Sequence, residues 1–94
     1  VAPSEVEKIL GSHPSVEEVA VGVVFDQNNQ EQVGALVVLK VSVVANEFLS
    51  RSLIAYCGEH LNSYKIPRVI RYSDIIPRTE SGKILRSEVQ QCLI

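Results

Sequence analysis

The stretch VEEVAVGVVFDQNNQEQVGALVVL, from Val16 to Leu39, decides the fold. Val19, Val21, Val23 and Phe25 fall on one face of an extended chain, and Ala20, Gly22 and Val24 fall on the other. Both sets are apolar or small, which predicts a strand covered on both sides. Residues 26–31 form a polar turn, and residues 33–39 are a second β-rich run. The two runs are expected to pair as an antiparallel hairpin, with a loop longer than the tight two-residue type.

The flanks supply what would cover such a sheet. Upstream, Ser4-Glu5-Val6-Glu7 reads as a capping box, with Ser4 at the N-cap and Glu7 reaching back. Val6, Ile9 and Leu10 then make one apolar stripe, Gly11 is a C′ stop, and Pro14 prevents resumption. Downstream, Asn46 caps a long helix in which Leu49, Leu53, Tyr56, Cys57, His60 and Leu61 recur at helical spacing. Asn62 and Ser63 end it. The connector 64–68 follows, with Pro67 holding Ile66 extended. Residues 69–72 read as a third strand, 74–83 as a loop, and Ser87 with Gln90 as a capping box on a last short helix. The order αββαβα implies an α+β domain over residues 1–94: a small, mostly antiparallel three-stranded sheet with flanking helices. There is no internal repeat, low-complexity segment or linker.

Composition narrows the function. The chain has 94 residues, 46% of them apolar, and no Trp or Met, so the core is built from Val, Ile and Leu. A net charge of −2 does not suggest a nucleic-acid binder. The charge is uneven, however. Residues 1–64 hold three basic and eight acidic side chains, a balance of −5, whereas residues 65–94 hold six basic and three acidic, a balance of +3. The last third therefore suits an anion, or is simply an uneven solvated surface. Cys57 and Cys92 lie in no CxxC pair and near no ligand set, so both read as buried thiols in a reduced compartment, and no metal site is expected. His13 and His60 are isolated and read as surface or packing residues. No apolar run approaches the ~20 residues of a membrane span, and no signal peptide is visible. A helix cap so close to Val1 suggests a piece of a longer protein.

PRTESGKILR, residues 77–86, raises the question of chemistry. Gly82-Lys83 invites a P-loop, but that motif requires an earlier Gly where Pro77 stands and a Ser or Thr where Ile84 stands. The phosphate-loop reading is rejected. What remains is a loop in which Ser81-Gly82 allows a sharp turn, Pro77 limits one end, and Ile84 and Leu85 anchor the other. It presents Lys83 either as an ordinary exposed lysine or as a tethered cation to be inserted into another surface.

A wider pattern bears on that choice. Asp74-x-x-Pro77-Arg78-Thr79-x-Ser81-Gly82-Lys83-Ile84-x-Arg86 resembles the C-terminal signature of adenylate-forming enzymes, which include acyl- and aryl-CoA synthetases, peptide-synthetase adenylation domains and luciferases. Pro3-Ser4-Glu5-Val6-Glu7, His13-Pro14-x-Val16-x-Glu18-x-Ala20-Val21, Ala35-Leu36-Val37-Val38-Leu39 and Tyr64-Lys65-Ile66-Pro67 are similar, in order, to further segments of that family's small C-terminal domain. One departure is the hairpin turn, which in the family carries an acidic residue and then Gly-Glu. Here residues 26–31 contain no Gly, and an altered turn shape is expected.

The resemblance implies the mobile C-terminal lid of a larger enzyme whose N-terminal domain binds ATP and the acid. Such enzymes convert a carboxylic acid to acyl-AMP and transfer the acyl group to a thiol. ATP with Mg²⁺ and coenzyme A are the implied cofactors of the parent enzyme. By its place in the signature, Lys83 is the implied catalytic residue, carried on the turn formed by Ser81 and Gly82. Lys65, Arg68 and Arg86 are implied to face phosphates or CoA. The partners are the N-terminal adenylating domain of the same chain and the substrates, with no nucleic acid and no membrane span, and the expected location is cytoplasmic. The alternatives are an adenylation domain serving a carrier protein and a stand-alone interaction module of the same fold. The acid is not readable from these residues.

Overall fold

The computed structural model describes residues 3–93. In chain order these form α1 (Pro3–Gly11), β1 (Val16–Phe25), β2 (Glu31–Leu39), α2 (Glu47–His60), a 3₁₀ turn (Ser63–Lys65), β3 (Val69–Tyr72) and α3 (Arg86–Cys92). The αββαβα order and the α+β class are as expected. The sheet order is β1-β2-β3. A long antiparallel β1–β2 ladder is joined by a short parallel β2–β3 one. A parallel neighbour needs a crossover, and α2 provides it.

The hairpin register explains the two apolar faces. Val19, Val21 and Val23 lie opposite Val37, Ala35 and Val33, and Ala20 and Gly22 lie opposite Leu36 and Gly34. The odd-numbered set packs with Val6 and Leu10 of α1 and with Leu53 and Cys57 of α2. The even-numbered set meets Val89 and Leu93 at α3, together with Ile76. A register shift between Val16 and Glu18 places an extra residue in β1, so Val16 joins the odd-numbered face despite its even number.

The second face depends on a pair of opposed glycines. A Cβ added to Gly22 would lie 2.7 Å from Gln90 Oε1 and 2.8 Å from Leu93 Cδ1. One on Gly34 would lie 3.1 Å from Val24 Cγ1 and 3.2 Å from Leu93 Cδ1. The bare backbone at this point lets the short α3 sit close to the sheet.

Local expectations fared differently. Asn46 caps α2, accepting the Leu49 N–H at 2.8 Å. Neither predicted capping box forms. Helix α1 is already helical at Ser4, and the Glu7 carboxylate accepts the N–H of Val21 instead of reaching back. Helix α3 starts at Arg86 after Leu85, with no side-chain cap, and Gln90 Oε1 accepts the N–H of Val23. Both side chains satisfy groups on the outer edge of β1, where no further strand pairs among the described residues. Gly11 is the last residue of α1 and not a residue beyond it.

Strand β2 begins two residues earlier than expected. The turn before it is held by Asp26, whose Oδ1 accepts the N–H groups of Asn28 and Gln30 at 2.8 and 2.9 Å. Asn29 adopts φ 60, a left-handed conformation that Asn tolerates better than most residues, so the turn closes without glycine. The hydrogen bond from Gln30 leads in holding the Asp26 carboxyl below its ordinary pKa. The cysteines divide: Cys57 is buried, and desolvation pushes its thiol up to about 11, but Cys92 is exposed, contrary to the reading of two buried thiols. It lies on α3 just before Leu93, which takes the inward position. His13 and His60 both make edge contacts with Tyr56, a packing role. Among the described residues, no helix is long and apolar enough to cross a membrane.

Candidate functional site

After β3 the chain runs along the second face. The Ser73 N–H continues the sheet to Val37 O at 3.0 Å, and Ile76 is buried against Ala20, Leu36 and Val38. This anchor delivers the segment that carries Lys83. The sequence suggested a loop there, turning sharply at Ser81-Gly82 and anchored at both ends. The structure shows a closed turn, with an antiparallel bridge between Arg78 and Ile84. The Leu85 N–H donates to Pro77 O at 2.9 Å, the Thr79 N–H to Lys83 O at 2.8 Å, and the Gly82 N–H to Thr79 O at 2.9 Å.

Gly82 sits at φ +91, and a Cβ there would meet no atom within 4 Å. Glycine is thus demanded by the backbone angle and not by space. Ser81 caps the turn tip through its hydroxyl, 2.9 Å from Thr79 Oγ1. Thr79 Oγ1 also accepts the Lys83 N–H at 3.1 Å. Both main-chain groups of Lys83 are therefore fixed by one residue, Thr79. Thr79 stands within the signature, but the resemblance implies no role for it. Its hydroxyl, four residues before Lys83, was the available signal.

The Lys83 side chain is exposed and, among the described residues, makes no hydrogen bond or ion pair. A cation fixed at its backbone and unengaged at its ammonium can be offered to an anion without first breaking an internal pair.

The other predicted cations differ. Lys65 Nζ lies 2.8 Å from Glu5 Oε2. Arg86 donates twice to Glu7, at 2.6 and 3.2 Å, and once to Val21 O at 3.0 Å. The hydrogen bond to Glu7 is also what raises the Arg86 pKa. Arg86 therefore seals the β1 edge and ties α3 to α1. Arg68 is exposed, its backbone N–H bound to Val33 O at 2.7 Å. With Arg71 and Asp26 it lines a mostly apolar groove of about 510 Å³ over Val23, Phe25 and Leu93. The structure thus places Lys65, Arg68 and Arg86 in three separate settings.

This architecture has relatives. Residues 5–83 match the family described as the AMP-binding enzyme C-terminal domain. The chain belongs to this family. As an AMP-binding enzyme C-terminal domain, it is 42% identical over 90 residues to 4-coumarate–CoA ligase-like 9 of Oryza sativa subsp. japonica, covering 96% of this chain and 16% of that protein. It is 36% identical over 90 residues to the long-chain-fatty-acid–CoA ligase of Escherichia coli O6:H1, covering 96% of this chain and 15% of that protein. Among solved structures, the anthranilate CoA ligase in complex with anthranoyl-AMP superposes with a TM-score of 0.92 at 35% identity, over 99% of this chain and 18% of that one. This AMP-binding enzyme C-terminal domain spans about a sixth of the length of these relatives.

Proposed function

We propose that this domain is the catalytic lid of an ATP-dependent acid–thiol ligase, and that Lys83 supplies the cation for the adenylation half-reaction. The observation that carries the proposal is the state of Lys83: fixed at the main chain, exposed, and without a side-chain partner among the described residues. The reaction class is supported by the CoA ligases among the relatives.

In the first half-reaction a carboxylate oxygen attacks the α-phosphorus of ATP. A new P–O bond forms, the bond to the bridging oxygen breaks, and pyrophosphate leaves with that electron pair. Negative charge gathers on the α-phosphoryl oxygens while two anions are forced together. A cation placed between them is bound more tightly by the transition state than by the separated reactants, which is the condition for acceleration. In the second half-reaction the thiol sulfur attacks the acyl carbonyl, AMP leaves, and the thiol proton passes to a base. The lysine has no comparable charge to stabilise there. A lid that rotates and withdraws Lys83 between the steps suits a compact body carrying one short, stiff turn. Mg²⁺ shields nucleotide phosphates in such chemistry, and it generally arrives with them, needing only one or two protein carboxylates. Of the three rim cations, Arg68 remains open to a phosphate, whereas Lys65 and Arg86 already serve Glu5 and Glu7.

The test is ATP–pyrophosphate exchange by the full-length protein that carries this domain, with and without Lys83→Ala. Loss of one well-placed charged contact is expected to cost roughly 10²–10³-fold. Thiol transfer from preformed acyl-adenylate is expected to fall much less. Lys83→Arg is also expected to fail, since a planar fork does not replace a point charge in a tight site. Unchanged exchange in Lys83→Ala would remove the proposal.

A further inference from the structure

Arg78 holds two acceptors at once. Its Nη1 donates to Gly82 O at 3.1 Å, and its Nη2 donates to Glu18 Oε1 at 2.8 Å. Gly82 O belongs to the peptide group whose nitrogen is that of Lys83. One planar guanidinium therefore connects the peptide plane entering Lys83 to a carboxylate on β1. Glu18 stands at the irregularity in that strand, in step with Ala20 on the face that carries Ile76 and α3. Regular alternation with Ala20 thus puts Glu18 on the side of the sheet that carries the turn.

The hydrogen bonds inside the turn do different work. Thr79 N, Gly82 N, Lys83 N and Lys83 O all find partners within residues 79–83. They fix the shape of the turn but leave open its angle to the sheet. Residues 77 and 85 form its base, and Ile84 packs beside it against the cluster that includes Ala20; the Arg78 side chain hydrogen-bonds both the turn tip and β1.

We propose that Arg78 is a positioning residue for Lys83: with Glu18 it sets the attitude of the turn, and so where the lysine ammonium can reach. The proposal rests on the reading of Lys83 as the adenylation cation. Global stability is a poor explanation for the contact. The Arg78 and Glu18 side chains are 36% and 40% exposed, and ion pairs this open to solvent add little to folding. Orientation is another matter, because misplacing a catalytic group by about 1 Å can cost on the order of 10²-fold in rate. The fork geometry also explains why arginine is used. A lysine ammonium can reach Glu18 or Gly82 O but cannot span both along fixed directions.

The experiment uses the full-length protein. Arg78→Gln is expected to lower kcat for ATP–pyrophosphate exchange by about 10–100-fold, with KM for ATP and melting temperature little changed and thiol transfer from preformed acyl-adenylate retained. Glu18→Gln acts in the same direction, and the double variant is no worse than Arg78→Gln alone, because the two residues form one device. Arg78→Lys recovers only part of the rate. A second readout does not depend on catalysis: trypsin cleavage after Lys83, well below the melting temperature, is faster in Arg78→Gln than in wild type. Exchange within about twofold of wild type in Arg78→Gln, or a loss shared equally by both half-reactions, overturns the proposal. If Lys83→Ala itself exchanges normally, the adenylation reading fails. Cleavage after Lys83 then still reports whether Arg78 holds the turn, so the two failures are told apart.

Discussion

The two faces of the sheet are built to different ends. Toward α1 and α2, Val19, Val21, Val33 and Val37 interlock with Val6, Leu10, Leu53 and Cys57, and polar contacts such as Glu7 to Val21 and Ser50 to Tyr72 lie at the margins of that apolar cluster. Toward α3, the sheet offers small residues, including the Gly22–Gly34 pair, and Gln90 and Arg86 reach across to bond the backbone of β1. The first face supplies stability by area. The second gives up packing mass so that a seven-residue helix and a bridged turn can be held at a defined position. Rigidity under an exposed lysine here comes from directional hydrogen bonds more than from bulk.

The comparison breaks if damage to the first face spoils catalysis directly. Leu53→Ala, on a fully buried α2 side chain, is expected to cost about 2–5 kcal/mol by denaturant unfolding. The specific activity of the protein that remains folded should be unchanged. A lower specific activity at full folding would mean that the two faces are coupled. Lys83→Ala is the mirror image. Its expected hundred- to thousand-fold loss of exchange corresponds to roughly 3–4 kcal/mol of transition-state stabilisation. Unfolding free energy should move by no more than about 0.5 kcal/mol, since the side chain is exposed. A large stability change would give Lys83 a structural job and blur the distinction.

Gly22→Ala tests the second face itself. The new methyl meets Gln90 Oε1 and Leu93 Cδ1 at under 3 Å, so the Gln90 and Leu93 side chains that seat α3 must move, and the Val23 N–H loses a well-placed acceptor. The expected cost is about 1–3 kcal/mol, with exchange activity reduced as well, because α3 follows directly on the turn. Gly11→Ala is the control: it lies at the end of α1 with only an ordinary 3.9 Å contact to Val19, and should be neutral or slightly stabilising. Equal effects at the two glycines would argue that the Gly22–Gly34 pair has no special role.

Burial of both faces was legible in the sequence, but the polar contacts that hold the second were not, for a physical reason. Periodicity reports burial along one element, so Val19, Val21, Leu53 and Cys57 announced themselves, as did the Asn46 cap, which bonds three residues away. Glu7 and Gln90 fit local capping patterns, yet both serve β1, at separations of 14 and 67 residues. The same limit hid Glu18, whose partner Arg78 is 60 residues away. Motif resemblance singled out Lys83 but not the geometry of Thr79 and Arg78 around it, because that depends on the chain returning across the sheet. Cys92 misled for a simpler reason: composition makes cysteine look buried, but on a short helix Leu93 occupies the inward place.

Both faces share one dependency, the register of the hairpin, since a slip by one residue would exchange them. Asp26 guards that register by bonding the turn amides of Asn28 and Gln30 and the side chain of Gln32. Its folded-state pKa is lowered, chiefly through the Gln30 amide. A depressed carboxyl contributes stability that is fully present above its unfolded pKa and is lost as pH falls through the folded value. The contribution should therefore be intact at neutral pH and decline below about pH 4, where an unfolded carboxyl begins to protonate. Asp26→Asn keeps an acceptor but has no charge to lose. Urea midpoints measured at pH 7 and pH 3 should fall further in wild type than in the variant, the difference cancelling the carboxylates common to both. The gap should be small, because Asp26 is open to solvent and the hydrogen bonds are shared with water. Parallel pH profiles would show that the turn holds its register without the charge. The left-handed Asn29 would then be the next residue to replace, with glycine expected to be tolerated and valine not.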